Sequence, residues 1–163
     1  MNPMLLDQIL VLVFLNLLPI AELRLSIPVG IIIFQLPWEL VFLLSFGIHI
    51  ILGPVLYFLL EKLTGFFLRF AWIKRFYDAR VASAQRRAKP YVDKYGIFGL
   101  SIFIFTPFPG SGTYSGTLIA HVLNFGYKRL FIANTIGSFF NALLWTFLAL
   151  TGAVAVSSLA GFA

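Results

Sequence analysis

Glu22 and Arg24 are the residues of this sequence best suited to ionic chemistry. They lie in the largely apolar segment PIAELRLSIPVG, where Pro19 and Pro28 disfavour one continuous helix. A charge deep in a bilayer costs about 2.5 kcal/mol or more unless it is paired or hydrated, so such residues are functional candidates. If the segment is buried, Glu22 is the acid placed to bind and release a proton. The alternative is an interfacial turn whose two charges reach water.

A second segment, TPFPGSGTYSG at 106–116, combines helix-breaking residues with hydroxyl groups. Its prolines and glycines predict two short half-helices that meet at a break. The hydroxyl groups of this segment and of the next residue, Thr117, together with the free N–H groups of a half-helix starting near Thr113, suggest an anion cradle. Alternatively, the glycines allow close helix packing and the hydroxyls bond to backbone carbonyls. The candidate residues are Thr106, Pro107, Pro109, Gly110, Ser111, Gly112, Thr113 and Tyr114.

Polar side chains recur on one face of the apolar stretch 130–150. Asn134, Ser138, Asn141 and Trp145 follow each other at spacings of four, three and four residues, which places them on the same face of a helix. This face is expected to point into a helix bundle, where it either lines a substrate path or forms bonds between helices. His49, in the stretch 40–60, is either a proton relay or a hydrogen-bonded packing residue.

Composition determines the environment of these residues. Of the 163 residues, 60% are hydrophobic and only 11% charged, whereas soluble domains carry about 25% charged residues. We therefore expect an integral membrane protein and no soluble enzyme. The absence of cysteine excludes disulfide and thiolate chemistry, and the two histidines are 72 positions apart, so we expect no metal or cofactor. No Gly-Lys-Ser/Thr follows the glycine-rich segment, so nucleotide hydrolysis is unsupported.

The net charge of +6 is concentrated in one segment. Nine of the twelve Lys and Arg residues lie in 61–94, against three acids, and the charges elsewhere cancel. The positive-inside rule places this connector in the cytoplasm. Its aromatic residues follow a helical spacing, which is typical of an amphipathic helix on the membrane surface. Anionic lipid headgroups are therefore the expected partners, and nucleic acid is not.

The lengths of the apolar stretches suggest the topology. A helix needs about 20 residues to cross a bilayer, so 40–60 and 130–150 each fit one crossing. The 33 uncharged residues between Lys94 and Lys128 are too many for one crossing and too few for two, which predicts a re-entrant hairpin. The N-terminal stretch resembles a second hairpin. Two hairpin-plus-helix halves of opposite orientation form an inverted repeat, as in secondary transporters.

We therefore expect one all-α transmembrane domain over 1–163. Repeat A covers 5–60, the connector 61–94, repeat B 95–150 and the C-terminal tail 151–163. With the connector inside, both termini lie outside. One protomer offers little width to enclose a path, so we expect a homodimer.

Two segments carry a family resemblance: LLPIAELRLSIPVG, and YGIFGLSIFIFTPFPGSGTYSGTLIA at 95–120. They resemble the signatures of a small multidrug export family of prokaryotic membrane proteins, which is distantly similar to the DedA, or VTT-domain, proteins. The resemblance implies a multi-pass protein of the prokaryotic cell membrane with two inverted re-entrant hairpins. It marks Glu22 and Arg24 as a charged hairpin site, and Pro107, Pro109, Gly110, Gly112 and Thr113 as the second hairpin tip. DedA-like second hairpins also carry arginines beside their prolines, and this chain has none there.

The expected function is that of a small transporter coupled to protons through Glu22. Its substrate would be an amphipathic or anionic compound, including a lipid-linked one, or a small exported compound. The alternative is a passive lipid scramblase or a membrane-organising protein without ion coupling.

Overall fold

The computed structural model describes the backbone of residues 3–67, 94–108 and 111–160, and the side chains of 4–62, 94–108 and 111–152. This part of the chain is helical and contains no strand. The helices are α1 (Pro3–Leu17), α2 (Glu22–Pro28, continued by a π-helical segment, Val29–Ile33), α3 (Trp38–Phe67), α4 (Ile97–Phe105), α5 (Thr113–Val122) and α6 (Tyr127–Ala160). The all-helical prediction is confirmed for these residues.

The first helix break lies where the sequence predicts it. Helix α1 ends at Leu17, a turn containing Pro19 follows, and α2 begins at Glu22 with a φ of 44°. Pro28 lies inside the helical segment and contributes no N–H group. The helix widens after it, because the Phe34 N–H bonds to the Val29 carbonyl, five residues back, at 2.9 Å.

The second break separates α4 from α5. Helix α4 ends at Phe105, and α5 starts at Thr113 after Gly112, whose φ of 115° favours glycine. Pro107 lies in the break and is exposed. The candidate residues Pro109 and Gly110 lie outside the described residues.

Two helices are long and apolar enough to cross a membrane: Trp38–Lys62 and Tyr127–Gly152. In their most apolar windows only 39% and 44% of the residues are buried inside the structure, whereas a core helix of a soluble protein is mostly buried. Leu43 and Phe147, for example, are 65% and 64% exposed. An apolar surface of this extent suits lipid contact.

Both long helices extend beyond the predicted crossings. Helix α3 continues through Pro54 to Phe67, into the predicted connector, and α6 continues to Ala160, through most of the predicted C-terminal tail. The predicted amphipathic surface helix of the connector falls on residues outside the described part of the chain.

The chain forms two compact units. The first comprises Met1–Ile48 and Phe139–Ala163, and the second comprises His49–Ser138. The core of the first unit includes Leu12, Leu23, Ile27, Val41 and Ala142. The core of the second includes Leu100, Ile104, Ile119, Leu130 and Ala133.

Candidate functional site

In the first unit, Glu22 is a buried acid at the start of α2. Its side chain is only 3% exposed, and its backbone adopts the left-handed conformation that non-glycine residues rarely adopt. Arg24, two residues later, is half-buried, and so is Pro28 at the end of α2. A carboxyl group is therefore held out of water at a helix break.

Asn16, near the end of α1, connects three segments of the first unit. Its Oδ1 accepts a hydrogen bond from the Ser26 hydroxyl at 2.9 Å. Its Nδ2 donates to the Ser45 hydroxyl at 3.2 Å and to the Leu12 carbonyl at 2.8 Å. Asn16, Ser26 and Ser45 are fully buried. This Asn16 cluster holds α1, α2 and α3 together on the same unit as Glu22.

Asn141, on α6, also belongs to the first unit, and its side chain is 1% exposed. One turn along the helix, Trp145 is half-buried and packs against the core of this unit. The buried Trp145 Nε1 and Thr146 Oγ1 atoms have no hydrogen-bond partner among the described residues. The predicted inward-facing polar side of this helix is therefore confirmed for its C-terminal part.

The second unit contains a buried network around His49, to which α3, α5 and α6 each contribute. His49 Nδ1 lies 2.9 Å from Thr113 Oγ1, which lies 3.3 Å from Ser138 Oγ. Ser138 donates to Asn134 Oδ1 at 3.4 Å, and Asn134 Nδ2 donates to the His49 carbonyl at 2.7 Å. Each of these four side chains is at most 1% exposed. We call this set the His49 network.

Two other hydroxyl groups of the predicted anion cradle bond to nearby backbone carbonyls. The Thr106 hydroxyl donates to the Ile102 carbonyl at 2.6 Å, and the Ser111 hydroxyl donates to the carbonyls of Thr106 and Phe108. Tyr114 is half-buried at the start of α5. Of the cradle residues in the described part of the chain, Thr113 alone joins the His49 network.

Two glycines of the second unit allow close packing around Ile104. A Cβ at Gly116 would overlap Ile104 Cγ1, and a Cβ at Gly137 would lie 2.7 Å from both Ile104 Cβ and the Ser101 carbonyl oxygen. Helix α4 therefore approaches α5 and α6 more closely than larger residues would permit. For Gly116, this is the close helix packing that the sequence left open as the alternative to an anion cradle.

Sequence reasoning missed Asn16, Ser26 and Ser45 as parts of a site. The available signal was their position as isolated polar residues in apolar stretches. No group of three or more metal-binding side chains occurs within the ranges that the structure describes.

Comparison with known proteins supplies one family assignment. No curated protein and no solved structure matched this chain. A family model described as "Putative small multi-drug export protein" matches residues 22–144. The matched range begins at the buried Glu22 and contains the whole His49 network, and it covers most of the chain. The chain therefore belongs to this family of small multi-drug export proteins.

Proposed function

We propose that this protein is a proton-coupled membrane transporter that exports small amphipathic compounds, with Glu22 as the coupling residue. The observation that carries this proposal is the burial of the Glu22 side chain, which is 3% exposed at a helix break. The family name supports an export role. The two long apolar helices support a location in the membrane.

The coupling step follows from the cost of burying a charge. A carboxyl group tolerates an apolar environment when it is protonated, whereas the carboxylate requires water or a positive partner. Glu22 would bind a proton when the region around the helix break closes to water, and would release it when that region opens to water on the other side of the membrane. Arg24, two residues later on the same short helix, is half-buried and carries a positive charge. Substrate movement is coupled to proton movement if each opening also exposes the substrate path.

The element order supports the inverted-repeat proposal. Helix, break, helix and long helix occur twice, as α1–α3 and as α4–α6. An offset of 90 residues pairs Glu22 with Gly112, and both have positive φ, 44° and 115°. We propose that the two breaks are the tips of re-entrant hairpins, which inverted-repeat transporters place near the bilayer midplane.

We propose that the protein lies in a prokaryotic cell membrane with its connector in the cytoplasm and its termini outside, and the charge distribution supports this orientation. We also propose that two protomers associate, with anionic lipid headgroups at the connector. Crosslinking in native membranes should give a dimer, and monomer alone at saturating crosslinker would contradict this.

The test uses purified protein in liposomes with an imposed pH gradient. The probes are ethidium, an amphipathic dye, and a long-chain polyprenyl phosphate. The wild type should move at least one of them faster with the gradient, and Glu22→Gln should abolish this stimulation. Glu39→Gln is the matched control, because Glu39 is exposed at the start of α3.

The same preparations distinguish passive lipid movement. Gradient-independent movement of a headgroup-labelled phospholipid, equal in the wild type and Glu22→Gln, would identify a scramblase and overturn the proton role. Undiminished gradient stimulation in Glu22→Gln would also overturn it.

A further inference from the structure

The His49 network forms a closed ring that begins and ends at one residue. It starts at the His49 carbonyl, passes through Asn134, Ser138 and Thr113, and returns to the His49 imidazole at Nδ1. The backbone carbonyl can only accept hydrogen bonds, so it determines the direction of every other bond.

The donors can be assigned one at a time. Asn134 Nδ2 donates to the carbonyl, so Oδ1 of the same amide is the acceptor for the Ser138 hydroxyl. Ser138 has then used its one proton, so it must accept from the Thr113 hydroxyl. Thr113 has likewise used its proton, so it must accept from His49.

This ring assigns the tautomer of His49. Nδ1 carries the proton, and in the neutral imidazole Nε2 is then a bare acceptor. Nε2 is buried and has no hydrogen-bond partner among the residues that the structure describes, and the same holds for the Thr117 hydroxyl one turn after Thr113. Both side chains are 0% exposed. Buried acceptors without a partner are rare and call for an explanation.

We propose that His49 Nε2 is a proton-binding site in the second unit, held ready by the hydrogen-bond ring. The inference rests on the proposed proton-coupled transport and adds a second proton carrier to Glu22. The proton binds to the Nε2 lone pair, giving an imidazolium that keeps its Nδ1–H bond to Thr113, and it leaves from the same atom. The groups that reach His49 are the Thr113 hydroxyl from α5 and the Asn134 amide from α6. Neither group titrates, and no acid within the described ranges bonds to this imidazole.

The tautomer can be tested without any transport assay. The chain has two histidines, so ¹⁵N-histidine NMR in lipid nanodiscs gives two sets of ring signals, and His121→Asn identifies those of His49. At neutral pH the His49 signals should show a protonated Nδ1 and a bare Nε2, and acidification should protonate Nε2. Thr113→Val removes the acceptor for Nδ1–H and should lower the Nδ1–H population. A wild-type signal with Nε2 protonated and Nδ1 bare would overturn the assignment.

The functional arm uses His49→Asn, whose amide N–H can replace the Nδ1 donor to Thr113 but which has no atom equivalent to Nε2. Gradient-driven ethidium or polyprenyl phosphate movement should fall by about a hundredfold or more, as is usual for loss of a proton-transferring side chain. His121→Asn is the control. Wild-type rates in a folded His49→Asn protein would refute the site. A different result would refute the Glu22 proposal: gradient stimulation would survive in Glu22→Gln.

Discussion

Asn134 Nδ2 lies 2.7 Å from the carbonyl oxygen of His49, and Gly53 provides the space for this contact. A Cβ at Gly53 would lie 2.5 Å from Nδ2 and 2.6 Å from Cγ of Asn134. Two helices far apart in sequence, α3 and α6, are thereby joined through a side chain and a backbone carbonyl. The next residue, Pro54, lacks an N–H group, so the helix has one hydrogen bond fewer at this point.

Gly53→Ala should destabilise the protein by about 1–3 kcal/mol, because the new methyl group displaces Asn134 and strains the packing. Thermal unfolding in detergent measures the effect. Gly47→Ala is the matched control on the same helix, since a Cβ there meets nothing within 4 Å. This control should be neutral or gain up to about 1 kcal/mol from helix propensity. Equal stability of the two variants would contradict the close contact.

Gly116→Ala should also be destabilising, and shortening Ile104 should relieve it. The new Cβ would overlap Ile104 Cγ1 and lie 2.8 Å from Cδ1, so Ile104→Ala removes both obstructing atoms. A double-mutant cycle of unfolding free energies should give a favourable coupling of about 0.5–3 kcal/mol. Gly137→Ala should be rescued less, because its Cβ also meets the Ser101 carbonyl oxygen. Equal rescue at both glycines would argue against this geometry.

Glu22→Gly separates the backbone role of this position from its carboxyl group. Glycine adopts a φ of 44° without steric cost, so the variant should keep the backbone conformation of the break while it lacks the carboxyl group. Gradient-driven transport should nevertheless be lost. Gln35→Gly is the control, because Gln35 is exposed and has a φ of 52°. It should keep transport. Transport that persists in Glu22→Gly would show that the carboxyl group is not required for transport.

Asn16→Leu should destabilise the first unit by about 1–3 kcal/mol, because the buried hydroxyls of Ser26 and Ser45 lose their partner. Ser26→Ala and Ser45→Ala should each cost less, about 0.6 kcal/mol as for other hydrogen bonds between membrane helices. When Asn16→Leu is already present, Ser26→Ala should cost almost nothing. Additive unfolding free energies would show that the Asn16 cluster is not coupled.

The predicted topology can be tested with single cysteines, because the chain has none of its own. A membrane-impermeant maleimide should label cysteines at positions 7 and 163 in intact cells. A cysteine at Gln85, in the basic connector, should react only after permeabilisation. Labelling at position 85 from outside would reverse the orientation.

Local residue types account for the helices and their breaks. Pro19, Pro107 and Gly112 lie where helices are interrupted, because proline removes a backbone donor and glycine favours positive φ. Neither effect needs a distant partner. The long apolar helices follow from uncharged stretches in the same way. The exact ends of the helices were less predictable. Helix α3 continues past Glu61 and Lys62 to Phe67, because charged residues such as these are good helix formers and do not end a helix.

By itself, then, the sequence determined the helical class, the two apolar helices and the breaks, since each depends on neighbouring residues. Only the tertiary structure decided which polar groups meet. His49 and Thr113 are 64 residues apart, and His49 and Asn134 are 85 apart. Helical spacing shows which face a side chain occupies, but its partner depends on where two helices cross and how closely they approach. At Gly53 that approach depends on the absence of a single methyl group.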